Sequence, residues 1–246
     1  MTWLTTRDST KYGTRHQSYS PLDDRVTHSL SNLEFGLRII AERAPGVKGT
    51  KEQRVVPLFD TLRAADKLGY PHPSVRGCPN VVTTDLSMLF ESGWPDDEVG
   101  FAVKPFKKLK DPRVCEKLLI EREVWVSVWG KRWFPVTEHD LPPTLVANVN
   151  WVRGRLRPGI MDYIPQERKA AAEQWLRERH HQQRETLARL AAKCDTHFGF
   201  NDGVSLSLVR FFIGSRIWEC DLISHLIIPS ITPLPSITMG VAVLRR

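Results

Sequence analysis

The sequence predicts a mixed α/β protein whose sheet is packed between helices, followed by a smaller and mostly helical domain. In the first part of the chain, segments with helical spacing of apolar residues alternate with short β-branched segments. After Pro142-Pro143 the strand-like segments give way to long, charged segments with helical spacing. We therefore expect two domains, over residues 1–141 and 142–246.

Composition and charge limit the classes of function. The chain has 246 residues, of which 41% are hydrophobic and 26% charged, as is typical of a soluble globular protein. Its net charge of +7 is compatible with a polyanionic partner such as nucleic acid. The four cysteines form no CxxC pair, which favours reduced thiols over a zinc site or a redox motif. The apolar stretch over residues 222–231 is shorter than the roughly 20 residues of a spanning helix, so we expect a soluble, cytosolic protein without a membrane anchor.

The first elements follow from local patterns. Residues 1–28 are polar and lack periodic apolar positions, which predicts an extended arm. Residues 30–40 have the apolar spacing of a helix, and Pro45-Gly46 ends it. Residues 54–59 predict a short strand that Pro57 bends or places at an edge.

The centre of the first domain shows two further strands and a helix. β-Branched and apolar residues predict strands over residues 80–90 and 100–106. Asp111, followed by proline, is a strong start signal for a helix over residues 112–129. Residues 133–137 predict a last strand.

The second domain is expected to be mainly helical. Helical patterns cover residues 144–156, 166–197 and 204–213, and residues 216–222 fit either a strand or a helix end. The segment over residues 204–213 is too apolar for a DNA-recognition helix, which needs polar side chains that reach base edges. Packing or a protein interface is the better interpretation of that helix.

Three polar residues lie where the fold alone does not require them. Glu34 lies at the margin of an apolar helix stripe, Asp85 within an apolar strand, and Lys104 at the end of the next strand. Carboxylates bind a divalent metal that activates water at a phosphate, and a lysine neutralises the developing charge. Each residue also has an ordinary structural interpretation. Glu34 fits a capping box with Ser31, Asp85 fits a turn cap, and Lys104 fits an edge lysine that blocks strand addition.

Five blocks of the sequence resemble the TnsA family, strand-cutting subunits of heteromeric Tn-seven-type transposons. They agree in order and spacing across residues 25–155, and the likeness is looser beyond. The blocks are residues 29–34 (SLSNLE), 82–86 (VTTDL), 102–105 (AVKP), 111–125 (DPRVCEKLLIEREVW) and 133–142 (WFPVTEHDLP).

The resemblance implies a nuclease domain with the type II restriction-enzyme fold and a divalent-metal site. Glu34, Asp85 and Lys104 match the family's catalytic residues, and Glu121 falls near another acidic position of its site. The implied cofactor is Mg²⁺, for which Mn²⁺ can substitute, held by Glu34, Asp85 and the main-chain carbonyl of Val103.

One position departs from the pattern of the wider superfamily, and the basic residues beyond the site have two interpretations. Ala102 replaces the usual Glu or Gln two residues before the lysine, which removes one side-chain ligand. Lys107, Lys108 and Lys110 fit either a solvated loop or contacts to DNA phosphates, which position DNA without reading its sequence.

The family also implies an activity and partners. We expect hydrolysis at the 5′ ends of double-stranded transposon DNA, together with the transposase TnsB and the ATP-dependent regulator TnsC. The second domain would be winged-helix-like and would bind a partner. A stand-alone restriction or repair nuclease and a catalytically inactive transposition scaffold are the alternatives. The set of Glu34, Asp85 and Lys104 argues against the scaffold, whereas Ala102 favours it.

Overall fold

A computed structural model describes residues 14–179 and 185–234. The chain divides into two compact units, Met1–Pro142 and Pro143–Arg246. None of the helices within the described ranges is long and apolar enough to cross a membrane.

The first unit is a mixed α/β fold. In chain order its strands and helices are β1 (His16–Ser20), β2 (Arg25–Ser29), α1 (Asn32–Ala41), β3 (Val47–Val56), α2 (Leu58–Leu68), β4 (Ser74–Val75), β5 (Cys78–Pro79), β6 (Val82–Phe90), β7 (Glu98–Val103), α3 (Pro112–Glu123) and β8 (Trp133–Val136). A 3-10 helix, Phe106–Lys110, follows β7, and a π-helical turn, Val124–Val128, extends α3.

The central sheet has four strands in the order β3-β6-β7-β8. The β3–β6 and β6–β7 pairs are antiparallel, whereas β7 and β8 run parallel. This confirms the mixed sheet predicted from the sequence. β1 and β2 form a separate hairpin, as do the two-residue strands β4 and β5.

Helices α2 and α3 pack on the sheet through two apolar clusters. The first cluster joins β3, α2 and α3, and its buried members are Val56, Ala64, Ala65, Ile120 and Val124. The second cluster joins β7, α3 and β8, and its buried members are Ala102, Leu118, Trp125 and Trp133. Gly100 lets this packing approach closely, since a Cβ there would lie 2.7 Å from the Trp125 ring. A side chain at position 100 would therefore push α3 away from the strand that precedes Lys104.

Two predictions for the first unit are corrected. Part of the predicted arm over residues 1–28 is the β1–β2 hairpin, and residues 1–13 lie outside the described residues. The strand predicted over residues 54–59 ends at Val56, because Pro57 closes β3 and α2 begins at Leu58. Proline fits this junction, since its fixed φ suits a helix start and it cannot donate to a ladder.

The second unit is mostly helical, as predicted. Its helices are α4 (Pro143–Arg153), α5 (Gln166–Glu178), α6 (Leu187–Phe198) and α7 (Val204–Gly214). An isolated antiparallel bridge joins Thr186 and Pro233. The core includes Leu176, Leu190 and Leu208, each fully buried.

The single helix predicted over residues 166–197 is two helices. α5 ends at Glu178, and α6 begins at Leu187 after Thr186, whose hydroxyl accepts a hydrogen bond from the Arg189 N–H. The Thr186 cap therefore starts α6 as a helix separate from α5. That cap was overlooked in the sequence.

Candidate active site

The candidate site lies where β6 and β7 separate. Their pairing ends at Leu86 opposite Phe101, while β6 continues beside β3 and β7 continues beside β8. Continued pairing would set Asp85 opposite Ala102, but β6 and β7 do not pair beyond Leu86 and Phe101. A gap therefore opens in the sheet at the position of Asp85.

Asp85 bridges this gap with its side chain. Its Oδ2 accepts a hydrogen bond from the Val103 N–H at 2.7 Å and another from Lys104 Nζ at 2.7 Å. The carboxylate thus takes the place of a ladder partner for Val103 and holds the ammonium group beside it. The Lys104 side chain is 36% exposed and that of Asp85 11%, so the pair is reachable from solvent.

Glu34 is the partner of the cap residue Ser31 in the first turn of α1 and interacts with the charge of Asp85 at the same time. Its Oε2 accepts from the Leu30 N–H at 3.0 Å and its Oε1 from the Ser31 hydroxyl at 3.0 Å, while its own N–H donates to Ser31 Oγ. Burial, and then the negative charge of Asp85, raise the pKa of Glu34 to about 7. The structural and the functional interpretations of Glu34 are therefore compatible.

Glu121 lies on α3, fully within the protein. Its Oε1 accepts from the Thr84 hydroxyl at 2.6 Å and from the Trp133 indole N–H at 2.8 Å. The Trp125 indole N–H donates to the same Thr84 hydroxyl at 2.7 Å. Burial, and then the charge of Asp85, raise the pKa of Glu121 to about 7. Helix α3 thus brings a third carboxylate into the electrostatic range of Asp85 and Lys104.

Lys104 is the cation that these carboxylates share. Burial acts to lower its pKa, but the charge of Asp85 and its hydrogen bond, followed by the charges of Glu121 and Glu34, raise the pKa above the ordinary value. The ammonium group is therefore charged at neutral pH. Three carboxylates around one lysine leave an excess of negative charge.

In the sequence, Ala102 precedes Lys104, and the three lysines predicted to bind phosphates follow it. Ala102 is buried in the cluster with Leu118, Trp125 and Trp133, where a small apolar side chain fits. The three lysines, Lys107, Lys108 and Lys110, are exposed on the 3-10 helix that follows Pro105. The strand predicted over residues 100–106 ends at Val103, so these lysines begin only a few residues beyond it.

The residues present fit a hard divalent cation in their chemistry. Carboxylate oxygens are the donors that Mg²⁺ prefers, and an oxygen that accepts one hydrogen bond keeps a second lone pair for a metal. Burial and then the negative charge of Asp85 raise the pKa of Glu34, and a bound cation would offset both by stabilising the ionised carboxylate. Within residues 14–179 and 185–234, no group of three or more His, Cys, Asp or Glu side chains is arranged as a metal cage. A metal contact by the Val103 carbonyl remains a prediction.

Sequence reasoning missed the supporting residues of Glu121. Thr84, Trp125 and Trp133 hold it through the hydrogen bonds above, and none of the three stood out in the sequence. A buried tryptophan needs a partner for its indole N–H, so the two tryptophans beside an acidic helix residue were the available signal.

The mixed sheet with its flanking helices is the fold that was expected of a restriction-endonuclease-like domain, and three carboxylates and one lysine interact within it. Comparisons with known proteins point to a more specific likeness. The family described as TnsA endonuclease C terminal matches residues 140–222. The transposition protein TnsA of transposon Tn7 from Escherichia coli is 33% identical over 150 residues, which is 61% of this chain and 54% of the relative. The chain thus spans about half the length of the curated relative that it matches. The resemblance to TnsA predicted from the sequence is confirmed, and it extends into the second unit.

Proposed function

We propose that this chain is the endonuclease subunit of a Tn7-type transposition machine and hydrolyses the phosphodiester at the 5′ ends of the transposon. The observation that carries the proposal is the position of Asp85. Its carboxylate joins Lys104 and the Val103 N–H in the gap between β6 and β7, within the electrostatic range of Glu34 and Glu121. The likeness to the Tn7 protein TnsA supports the assignment to transposition.

Asp85 and Glu34, with the Val103 carbonyl, would hold a Mg²⁺ ion, and Mn²⁺ would substitute for it. The bound ion supplies a Lewis acid for the scissile phosphate and lowers the pKa of a coordinated water. Lys104, charged at neutral pH, positions the attacking water and neutralises charge that develops on the phosphate. Glu121 contributes negative charge that keeps the lysine protonated and in place.

The remaining parts of the proposal concern DNA and partners. The exposed lysines of the 3-10 helix, Lys107, Lys108 and Lys110, contact phosphates and add affinity without sequence preference. Site specificity then comes from TnsB, which acts at the 3′ ends, while TnsC licenses the assembly. The second unit, whose residues 143–222 fall within the TnsA match, is the proposed contact for the regulator.

Cleavage of a labelled transposon-end fragment tests the proposal directly. The assay contains Mg²⁺ at physiological salt, and the chain, TnsB and TnsC are omitted in turn. We expect cutting at the 5′ end only in the complete mixture, and none when Asp85→Asn replaces the wild-type chain. Efficient site-specific cutting by this chain alone would instead make it a stand-alone nuclease. Cutting that survives Asp85→Asn would reject the site.

A further inference from the structure

Strand β3 has a backbone kink at Gln53, beside the candidate site. Gln53 has a φ of 48°, in the left-handed region that residues other than Gly, Asn and Asp rarely adopt. The residues on either side of it pair regularly with β6, Glu52 with Leu86 and Arg54 with Thr84. The position opposite Gln53 is therefore Asp85.

The kink changes which face of the sheet the side chains of β3 point to. Lys51 Nζ lies 3.6 Å and Arg54 Nε 3.3 Å from the same Glu98 oxygen, although residues three apart on a regular strand point to opposite faces. Gln53 instead joins Thr83, whose hydroxyl donates to Gln53 Oε1 at 2.9 Å. The positive φ at Gln53 thus re-aims side chains without a shift at that position in the register between β3 and β6.

The amide oxygen of Gln53 has a hydrogen-bond partner, whereas its amide nitrogen has none among the described residues. The residue is 6% exposed, and Thr83 takes the amide oxygen. Among the described residues, none accepts a hydrogen bond from its amide nitrogen. The amide nitrogen itself reaches solvent, so a ligand that enters the site can supply its acceptor. It belongs to a strained residue one strand away from Asp85, and strain of this kind clusters at functional sites.

We infer that Gln53 is a substrate-positioning residue whose amide N–H donates to a phosphate oxygen of the DNA strand that is cut, next to the scissile phosphate. The inference rests on the proposed function. Directly opposite residues on paired strands lie about 5 Å apart, so a phosphate neighbouring the one at Asp85 is within reach of the amide. A phosphate offers only acceptors, which matches the free donor, and the amide oxygen that could bind a metal is engaged by Thr83.

Two substitutions at this position separate a substrate contact from a structural role. Gln53→Gly removes the amide and also relieves the left-handed strain, so its Tm should equal or exceed the wild-type value. Its Kd for a fluorescent transposon-end duplex, measured by anisotropy on the full chain without metal, should rise about tenfold, as expected for loss of a charge-assisted hydrogen bond. Gln53→Glu keeps the size but faces the phosphate with a negative charge, so its Kd should rise further.

The same variants are then compared in the complete cleavage mixture beside Asp85→Asn. The inference predicts slower cleavage for Gln53→Gly despite an undiminished Tm, and slower cleavage still for Gln53→Glu. Wild-type affinity and cleavage in Gln53→Gly would overturn it, as would a fall in Tm that accounts for the lost activity. If Asp85→Asn is inactive while both Gln53 variants behave as wild type, only this inference fails. If Asp85→Asn still cuts, the proposed function fails.

Discussion

The two ends of strand β7 both bury carboxylate groups, and they balance the charge in opposite ways. At the start of β7, Glu98 accepts from the Ser87 hydroxyl at 2.9 Å and from Lys131 Nζ at 3.2 Å. Arg54 and Lys51 lie 3.3 Å and 3.6 Å from it. Burial acts to raise the pKa of Glu98, but the Ser87 hydroxyl and the surrounding cations outweigh it, so the pKa is lowered.

At the other end of β7 the balance is reversed. Asp85, Glu34 and Glu121 share the cation of Lys104, and burial followed by the charge of Asp85 raises the pKa of both glutamates to about 7. Excess negative charge of this kind destabilises the folded chain, and it persists where another positive charge completes the site. The contrast separates a carboxylate that stabilises the fold from a group prepared for a ligand.

The largest effect should come from Asp85→Asn. The change keeps an acceptor for Lys104 and Val103 but removes the charge that a metal requires, so cleavage in the complete mixture should fall by at least about 10³-fold. The Tm should change little, because repulsion toward Glu34 and Glu121 is relieved. A variant that cuts at a near wild-type rate in Mg²⁺ would exclude Asp85 as a metal ligand.

Lys104→Ala should lower cleavage by about 10²-fold or more while metal binding is retained, because the lysine acts on water and phosphate. Calorimetric titration with Mg²⁺ or Mn²⁺ measures the second half of this prediction. Loss of metal affinity in the variant would make Lys104 a structural partner of Asp85 instead.

Glu98→Gln is the matched control at the opposite end of β7. It should leave cleavage per folded molecule unchanged and lower the free energy of unfolding by about 1–2 kcal/mol, a value that allows for the partly exposed cations around it. Denaturant unfolding at pH 7 gives the free energy. An unchanged free energy of unfolding together with lost cleavage would contradict the assignment of Glu98 to stability and of the opposite end of β7 to catalysis.

The smallest effect concerns pH. Glu34 and Glu121 have folded-state pKa values raised to about 7 from an ordinary 4.5, so the folded chain binds more protons than the unfolded chain between these values. Their contribution to stability is therefore fully present below about pH 4.5 and is lost as the pH rises through about 7. Without metal, Glu121→Gln should flatten this fall in Tm, whereas Glu98→Gln should not. An identical pH profile for wild type and Glu121→Gln would contradict the raised pKa.

The sequence predicted the mixed sheet and the mostly helical second part better than it predicted local breaks. Ser31 and Asp111 cap helices as expected, because capping depends on residue type over a few positions. The kink at Gln53 was not predicted, since glutamine is not a typical residue for a positive φ and tertiary contacts enforce it. The hydrogen bonds of Glu121 could not be predicted from the sequence either, because Thr84 and Trp133 approach it only when β6, α3 and β8 have packed.

The most direct test of the charge-balance account is the proton count of metal binding. Mn²⁺ is titrated into the full chain by calorimetry at pH 7, in buffers of different ionisation enthalpy. If the excess carboxylates receive the ion, binding should release about one proton per ion at pH 7 and fewer at pH 8.5, because bound carboxylates must be ionised. Asp85→Asn should abolish both the binding and the release, while Glu98→Gln retains both. Absence of Mn²⁺ binding by the wild-type chain, or binding that Asp85→Asn does not weaken, would contradict the account.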